Sequence, residues 1–159
     1  ERPTTQPAWS RFGDMIVYTI HRYESYQVLW MPKDGQQNDQ LVRSGLDVWD
    51  SAPVWSPIED KILFNQRYPN TPLNATWLMG ITFEARGGTG EKLEAGPRPI
   101  LNVDYSPDGL WLTFNGLENL DGSVKPDIYI LPLDGSGRIR LTTDPGTDVD
   151  PVWRPVPIP

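Results

Sequence analysis

The sequence predicts an all-β chain of repeated four-stranded units, and three observations carry that prediction. Fourteen glycines and seventeen prolines in 159 residues leave little room for long helices. Aromatic residues reach 11% of the chain, seven of them tryptophan, which is far from the composition of a segment unable to bury apolar surface. A motif also recurs: Pro7-Ala8-Trp9-Ser10, Pro53-Val54-Trp55-Ser56-Pro57, Val103-Asp104-Tyr105-Ser106-Pro107 and Pro151-Val152-Trp153-Arg154-Pro155. Its aromatic positions 9, 55, 105 and 153 are separated by 46, 50 and 48 residues, the period of four-stranded propeller blades.

Each element of the unit follows in order. The motif itself is the first strand. A turn comes next: Arg11-Phe12-Gly13-Asp14, Pro57-Ile58-Glu59-Asp60 and Pro107-Asp108-Gly109 hold residues that fix φ or tolerate tight bends. The second strand shows apolar residues two apart, Ile16 and Tyr18, Ile62 and Phe64, Leu112 and Phe114. The third is a near-continuous apolar run, Val28-Leu29-Trp30-Met31-Pro32 and Ile128-Tyr129-Ile130-Leu131-Pro132, ending in Asp34-Gly35 and Asp134-Gly135 turns. In the middle unit Trp77-Leu78-Met79-Gly80-Ile81 supplies this strand and Gly87-Gly88 its turn to the fourth. Short fourth strands carry Leu41, Leu93 and Leu141.

Runs without alternation are expected where both faces of a sheet are covered, as in blades stacked radially on one another. Large tryptophan rings suit the wedge-shaped gaps between such blades. The predicted architecture is a β-propeller segment with three four-stranded blades at about 4–49, 50–99 and 100–147. Residues 148–159 are expected to be the inner strand of a further blade, or a tail.

The string Pro-x-Trp-Ser-Pro-x-x-x-x-Ile-x-Phe, followed by an apolar strand, Asp-Gly and Arg-x-Arg-Leu-Thr, resembles the repeat of TolB-like β-propellers. It covers nearly the whole chain, and the unit from Val103 to Thr142 matches best, with Tyr105 in place of tryptophan. The resemblance implies a closed ring of six or seven blades, so the chain reads as part of a longer propeller, or as half of a six-bladed ring built from two copies. In a two-copy ring the tail would compete with the partner's Pro7-Ala8-Trp9-Ser10 for one inner position. It further implies a non-catalytic binding module for protein or peptide partners, in the bacterial envelope or as an extracytoplasmic sensor or scaffold, hence a periplasmic or extracytoplasmic setting. The alternative is the accessory, gating propeller of a prolyl-oligopeptidase-type peptidase whose catalytic domain lies outside this sequence.

The residues themselves exclude more than they assign. A net charge of −7 offers no cationic surface for nucleic acid. No apolar run is long enough to span a bilayer, so the segment is expected to be soluble. The absence of cysteine removes disulfides, thiolate metal sites and thiol nucleophiles. With His21 the sole histidine, and with neither a G-x-S-x-G elbow nor an H-E-x-x-H helix, no catalytic residue is expected. Gly87-Gly88-Thr89-Gly90 lacks the lysine of a phosphate loop and reads as a turn.

Asp47, Asp50, Asp144, Asp148 and Asp150 gather ahead of inner strands. They could present oxygens to calcium, but their spacing is not that of a twelve-residue calcium loop, and turn hydrogen bonding explains them without a cofactor. Paired carboxylates for sugar cleavage, drawn from Asp50, Glu59, Asp104 or Glu118, are selected by no motif. Asp104 stands where other units have Ala8, Val54 and Val152, and is expected to face a channel or a ligand. Asn74-Ala75-Thr76 is a formal glycosylation acceptor. Loops entering the inner strands remain as the expected partner-contact rim, with Trp49, Asp50, Arg98, Asp148 and Asp150 as its candidate residues.

Overall fold

The computed structural model describes residues 4–71, 76–93, 100–117, 125–134 and 136–154, and among them it is entirely strand, turn and loop. Twelve strands form three antiparallel four-stranded sheets, each ordered as in the sequence. The first holds β1 (Thr4–Trp9), β2 (Met15–Arg22), β3 (Ser25–Pro32) and β4 (Asp39–Gln40). The second holds β5 (Trp49–Trp55), β6 (Ile62–Arg67), β7 (Thr76–Ile81) and β8 (Glu91–Lys92). The third holds β9 (Ile100–Tyr105), β10 (Trp111–Gly116), β11 (Asp127–Pro132) and β12 (Ile139–Arg140). The chain divides into two compact units, residues 1–97 with the first two sheets and residues 98–159 with the third.

The first three recurring motifs pair an aromatic with a serine for a local reason. Ser10, Ser56 and Ser106 are buried, and their hydroxyls accept turn N–H groups that would otherwise lack partners. Ser10 Oγ accepts from Asp14 and Met15 at 3.2 and 3.1 Å, Ser56 Oγ from Ile58 and Glu59 at 3.4 and 3.3 Å, and Ser106 Oγ from Trp111 at 2.9 Å.

The motif's proline has a separate explanation. Every innermost strand contains a bulge at the same place, where pairing slips by one residue between Thr5 and Ala8, between Ser51 and Val54, and between the pairs Asp104–Thr113 and Leu101–Asn115. The first bulged residue is left-handed each time: Gln6 (φ 56°), Ala52 (φ 53°) and Asn102 (φ 53°). Asp150, three residues before Trp153, has the same conformation at φ 58° although its segment belongs to no sheet. Pro7, Pro53 and Pro151 come next, at the unpaired position where the lack of an N–H is harmless. Neighbouring bulges are tied together. Ala52 N–H donates to Gln6 Oε1 and Thr19 Oγ1, both at 3.1 Å, and in the second unit the Asn102 side-chain amide donates to Asp150 Oδ1.

In the first unit the core lies between the two sheets. Val17, Val28, Trp30, Leu41 and Val42 pack against Trp55, Ile62, Phe64, Met79 and Ile81. The turn expected at Gly87-Gly88 is broader than the sequence reading has it. Residues 82–90 lean onto the first sheet, where Gly87 N–H donates to Leu41 O at 2.7 Å and Arg43 N–H to Gly88 O at 3.0 Å. Phe83 in this loop sits edge-on to Trp30 (5.1 Å) and tilted against Trp55 (5.5 Å), with the Arg86 guanidinium 4.6 Å from its centroid.

In the second unit Ile100, Leu112, Phe114, Tyr129 and Leu131 are buried, and Phe114 stacks on Tyr129 at 5.6 Å. The Arg-Leu-Thr stretch holds the start of β11: Arg140 pairs with buried Asp127 at 2.6 Å, and Ile128 N–H donates to Thr142 Oγ1 at 2.9 Å. Residues 148–154 are held to β9 by side chains. Asp104 Oδ2 accepts the Trp153 N–H at 3.0 Å, so one oxygen of this half-buried carboxylate ties the segment to β9.

Candidate functional site

An assembly of aromatic and cationic side chains stands at one end of the first unit, where the β2–β3 hairpin tip meets the segment entering β5. Their junction is fixed by Ser25, buried, whose hydroxyl donates to Val48 O at 3.2 Å. Antiparallel register then sets Trp49 opposite Arg67, at the ends of β5 and β6. The Arg67 guanidinium lies 5.3 Å from the Trp49 ring, Trp49 lies 5.3 Å from Tyr26, and Tyr26 lies 4.7 Å from His21. A four-residue ladder of alternating strands results, half-buried at Trp49, Tyr26 and His21 and exposed at Arg67.

Beside it the two-residue hairpin turn is formed by Tyr23 and Glu24, both left-handed at φ 49° and 62°. Such a turn favours asparagine and glycine, and each bulky residue there carries strain. The turn displays Tyr23, 74% exposed, with the Arg22 guanidinium 5.2 Å from its ring. Ile20, His21, Arg22 and Tyr23 line a shallow hollow of about 320 Å³. Leu46, 90% exposed, adds an apolar side chain to the loop before β5. Replacing Tyr23-Glu24 by Asn-Gly is expected to raise unfolding free energy by about 1–2 kcal/mol while stripping Tyr23 from the surface. Urea denaturation of the double variant checks this, and an unchanged midpoint would show that the turn carries no strain.

Directly behind Trp49 is a buried polar network. Gln66 Nε2 donates to Asp50 Oδ1 and Ser44 Oγ, both at 3.0 Å, and Tyr68 Oη donates to Gln66 Oε1 at 2.7 Å. Asp50 is 2% exposed, and burial pushes its carboxyl above the ordinary value against the opposing hydrogen bonds from Ser44 and Gln66. Burial likewise raises the Tyr68 phenol, and the charge of Asp50 raises it further.

Of the five residues expected on a rim, Trp49 and Asp50 lie side by side in the first unit but play different parts. Trp49 takes part in the ladder, whereas Asp50 faces inward, a correction with a simple cause: cross-strand Gln66 and Ser44 hold its carboxylate inside. Asp148 and Asp150 lie in the second unit, the first half-buried, the second exposed and bonded by the Asn102 amide. Arg98 lies outside the described residues, as do Asn74 and Glu118. Among the described residues no three acidic or histidine side chains converge to hold a metal ion, and no helix is long and apolar enough to cross a membrane. Sequence reading missed His21, Tyr26, Arg67 and Gln66 because their association depends on register between strands, although Tyr23-Glu24 between two apolar runs was a visible hairpin signal.

No protein-family model matches the sequence. The Tol-Pal system protein TolB of Anaeromyxobacter dehalogenans is similar over 129 residues, 30% identical in strain 2CP-C and 43% in strain 2CP-1, covering 81% of this chain. The chain spans 27% of the length of these relatives. Among solved structures, TolB of Acinetobacter baumannii superposes with TM-score 0.67 at 19% identity, over 89% of this chain and 33% of that one. The β-propeller domain of the trilobed protease of Pyrococcus furiosus gives 0.58 at 14% identity, over 89% and 43%. The described strands thus form a TolB-like β-propeller segment, similar in sequence and in fold to TolB over most of their length.

Proposed function

We propose that the chain is part of a non-catalytic propeller that binds a protein or peptide through the rim centred on Trp49. The observation that carries this reading is the His21–Tyr26–Trp49–Arg67 ladder beside the exposed Tyr23. Tryptophan, tyrosine and arginine supply most of the energy at protein interfaces, and here strands and stacking hold them in place before any partner arrives. Solvent-facing strain at Tyr23 and Glu24 is retained where surface shape matters more than stability.

The similarity to TolB supports a setting in the bacterial envelope and a place in a larger ring of blades, and the name of those relatives makes Tol and Pal proteins the first partners to test. Surface plasmon resonance of the immobilised chain against Tol and Pal proteins of one bacterium is the direct experiment. Trp49→Ala is expected to weaken capture by about 30-fold or more, the effect of losing a central interface aromatic, and Tyr23→Ala by less. Equal affinity of wild type and both variants would overturn the rim assignment.

A second reading makes the chain the accessory propeller of a peptidase, favoured by the match to the protease propeller. An α/β-hydrolase segment with a nucleophile elbow in the adjoining sequence would establish it.

A further inference from the structure

The turns that follow the inner strands break a local rule in the first unit. In the second unit Asp108, three residues after Tyr105, closes its turn: the carboxylate accepts the Ser106 hydroxyl at 2.5 Å and the Leu110 N–H at 3.0 Å. The equivalent residues of the first unit, three after Trp9 and Trp55, are Phe12 and Ile58, whose side chains accept no hydrogen bond and stand 75% and 48% exposed. A position suited to a turn-closing acid is thus given to two large apolar side chains that gain little burial, and folding does not explain the choice. The two turns are also joined. Arg11 donates to Ile58 O, and its guanidinium lies 4.4 Å from the Phe12 ring centroid, so one arginine ties the β1–β2 turn to the β5–β6 turn.

Next to Ile58 begins an open hollow of about 410 Å³, lined by Glu59, Asp60, Lys61, Gly80, Ile81 and the loop entering β8. Lys61 is already engaged. A Cβ at Gly80 would lie 2.9 Å from Lys61 Cε, so the bare backbone there lets the lysine stem lie across β7 and bring its ammonium to Glu91 at 3.4 Å. Glu59 and Asp60 are exposed, and among the described residues neither has a cation within ion-pair distance. On a chain of net charge −7, an acidic hollow thus adjoins an exposed apolar pair, and its complement is a basic side chain with an apolar neighbour.

We propose that these turns form a second interaction surface, at the end of β5 away from Trp49, for a polypeptide segment of another protein. The segment places an arginine or lysine in the hollow beside Glu59 and Asp60 and an apolar side chain over Phe12 and Ile58. Arg11, engaged with Ile58 O and the Phe12 ring, fixes the apolar pair in place before the partner arrives.

The probe is a capped leucyl-arginyl-leucine peptide, set against its citrulline counterpart, which keeps the side-chain shape and loses the charge. Titrated into the ¹⁵N-labelled full chain, the arginine peptide is expected to shift the amides of Glu59, Asp60, Gly88 and Gly90 saturably, and the citrulline peptide to bind about fivefold more weakly, the loss of one partly exposed ion pair. Phe12→Ala is expected to weaken both peptides, and Glu59→Gln with Asp60→Asn to erase the difference between them. All three positions are exposed, so the variants keep the fold. Trp49→Ala is expected to leave the binding unchanged, which separates this surface from the rim proposed above. No saturable shift at millimolar peptide, equal affinity of the two peptides for the wild type, or binding indifferent to Phe12→Ala would overturn the proposal.

Discussion

Phe64→Ala is expected to cost the first unit about 3–5 kcal/mol, close to the whole stability of a small domain. Phe64 is fully buried on β6 and belongs to the cluster shared by the first two sheets, so its removal opens a cavity that neither sheet closes alone. The ring is also closely covered. A Cβ at Gly90 would lie 3.2 Å from Phe64 Cζ and 3.0 Å from Gly80 O, at a backbone of φ +74°, so the loop passes against the ring with no room for a side chain. Sheets in repeat architectures draw their stability from neighbours, which makes this contact dominate over any strand propensity. Guanidinium denaturation followed by tryptophan fluorescence measures the loss, and a penalty below about 1 kcal/mol would show that the two sheets do not depend on this ring.

Asp50 gives the second large effect and the one with a pH signature. Asp50→Ala leaves Gln66 Nε2 and Ser44 Oγ without their carboxylate and is expected to cost about 1–3 kcal/mol at pH 7. Asp50→Asn keeps an acceptor and removes the buried charge, and is expected to match or exceed the wild type there. The sign follows from the raised folded-state value. Below the unfolded value, near 3.9, both states hold the proton and the group contributes nothing. As pH climbs through the window up to the raised folded value, the unfolded chain releases its proton first, stability falls, and the deficit persists above it. The wild type is therefore expected to lose stability relative to Asp50→Asn as pH rises above about 4, and the Tyr68 phenol to titrate lower in that variant. A wild type that gains on Asp50→Asn over the same range contradicts the buried-charge account.

Most of the fold was legible because each repeat states its elements locally. Ile62 and Phe64 two apart, the apolar run at Ile128–Pro132 and the Ser-Pro turns need no partner to be recognised. Two of the three bulges were missed although Pro7 and Pro53 inside strands announced them, since a proline within a ladder demands an unpaired position; the third, at Asn102-Val103, carries no such sign. The site was less legible. Trp49 stood out by type and loop position, but its ladder joins residues from four strands, and only pairing such as Trp49 with Arg67 creates it. Asp50 misled for the opposite reason: aspartate ahead of a strand looks like a surface residue until cross-strand Gln66 turns it inward.

The left-handed residue in each inner strand has a consequence for how such chains grow. Gln6, Ala52, Asn102 and Asp150 share one backbone state while differing in side chain, and the ties between them run from one repeat to the next, through Gln6 to Ala52 and Asn102 to Asp150. A duplicated repeat that keeps this backbone kink and a polar side chain at the joint, as Gln6 and Asn102 provide, carries its own coupling to the next copy. Gene duplication can therefore lengthen the array one module at a time, provided that one side of each joint keeps a side chain able to hydrogen-bond across it.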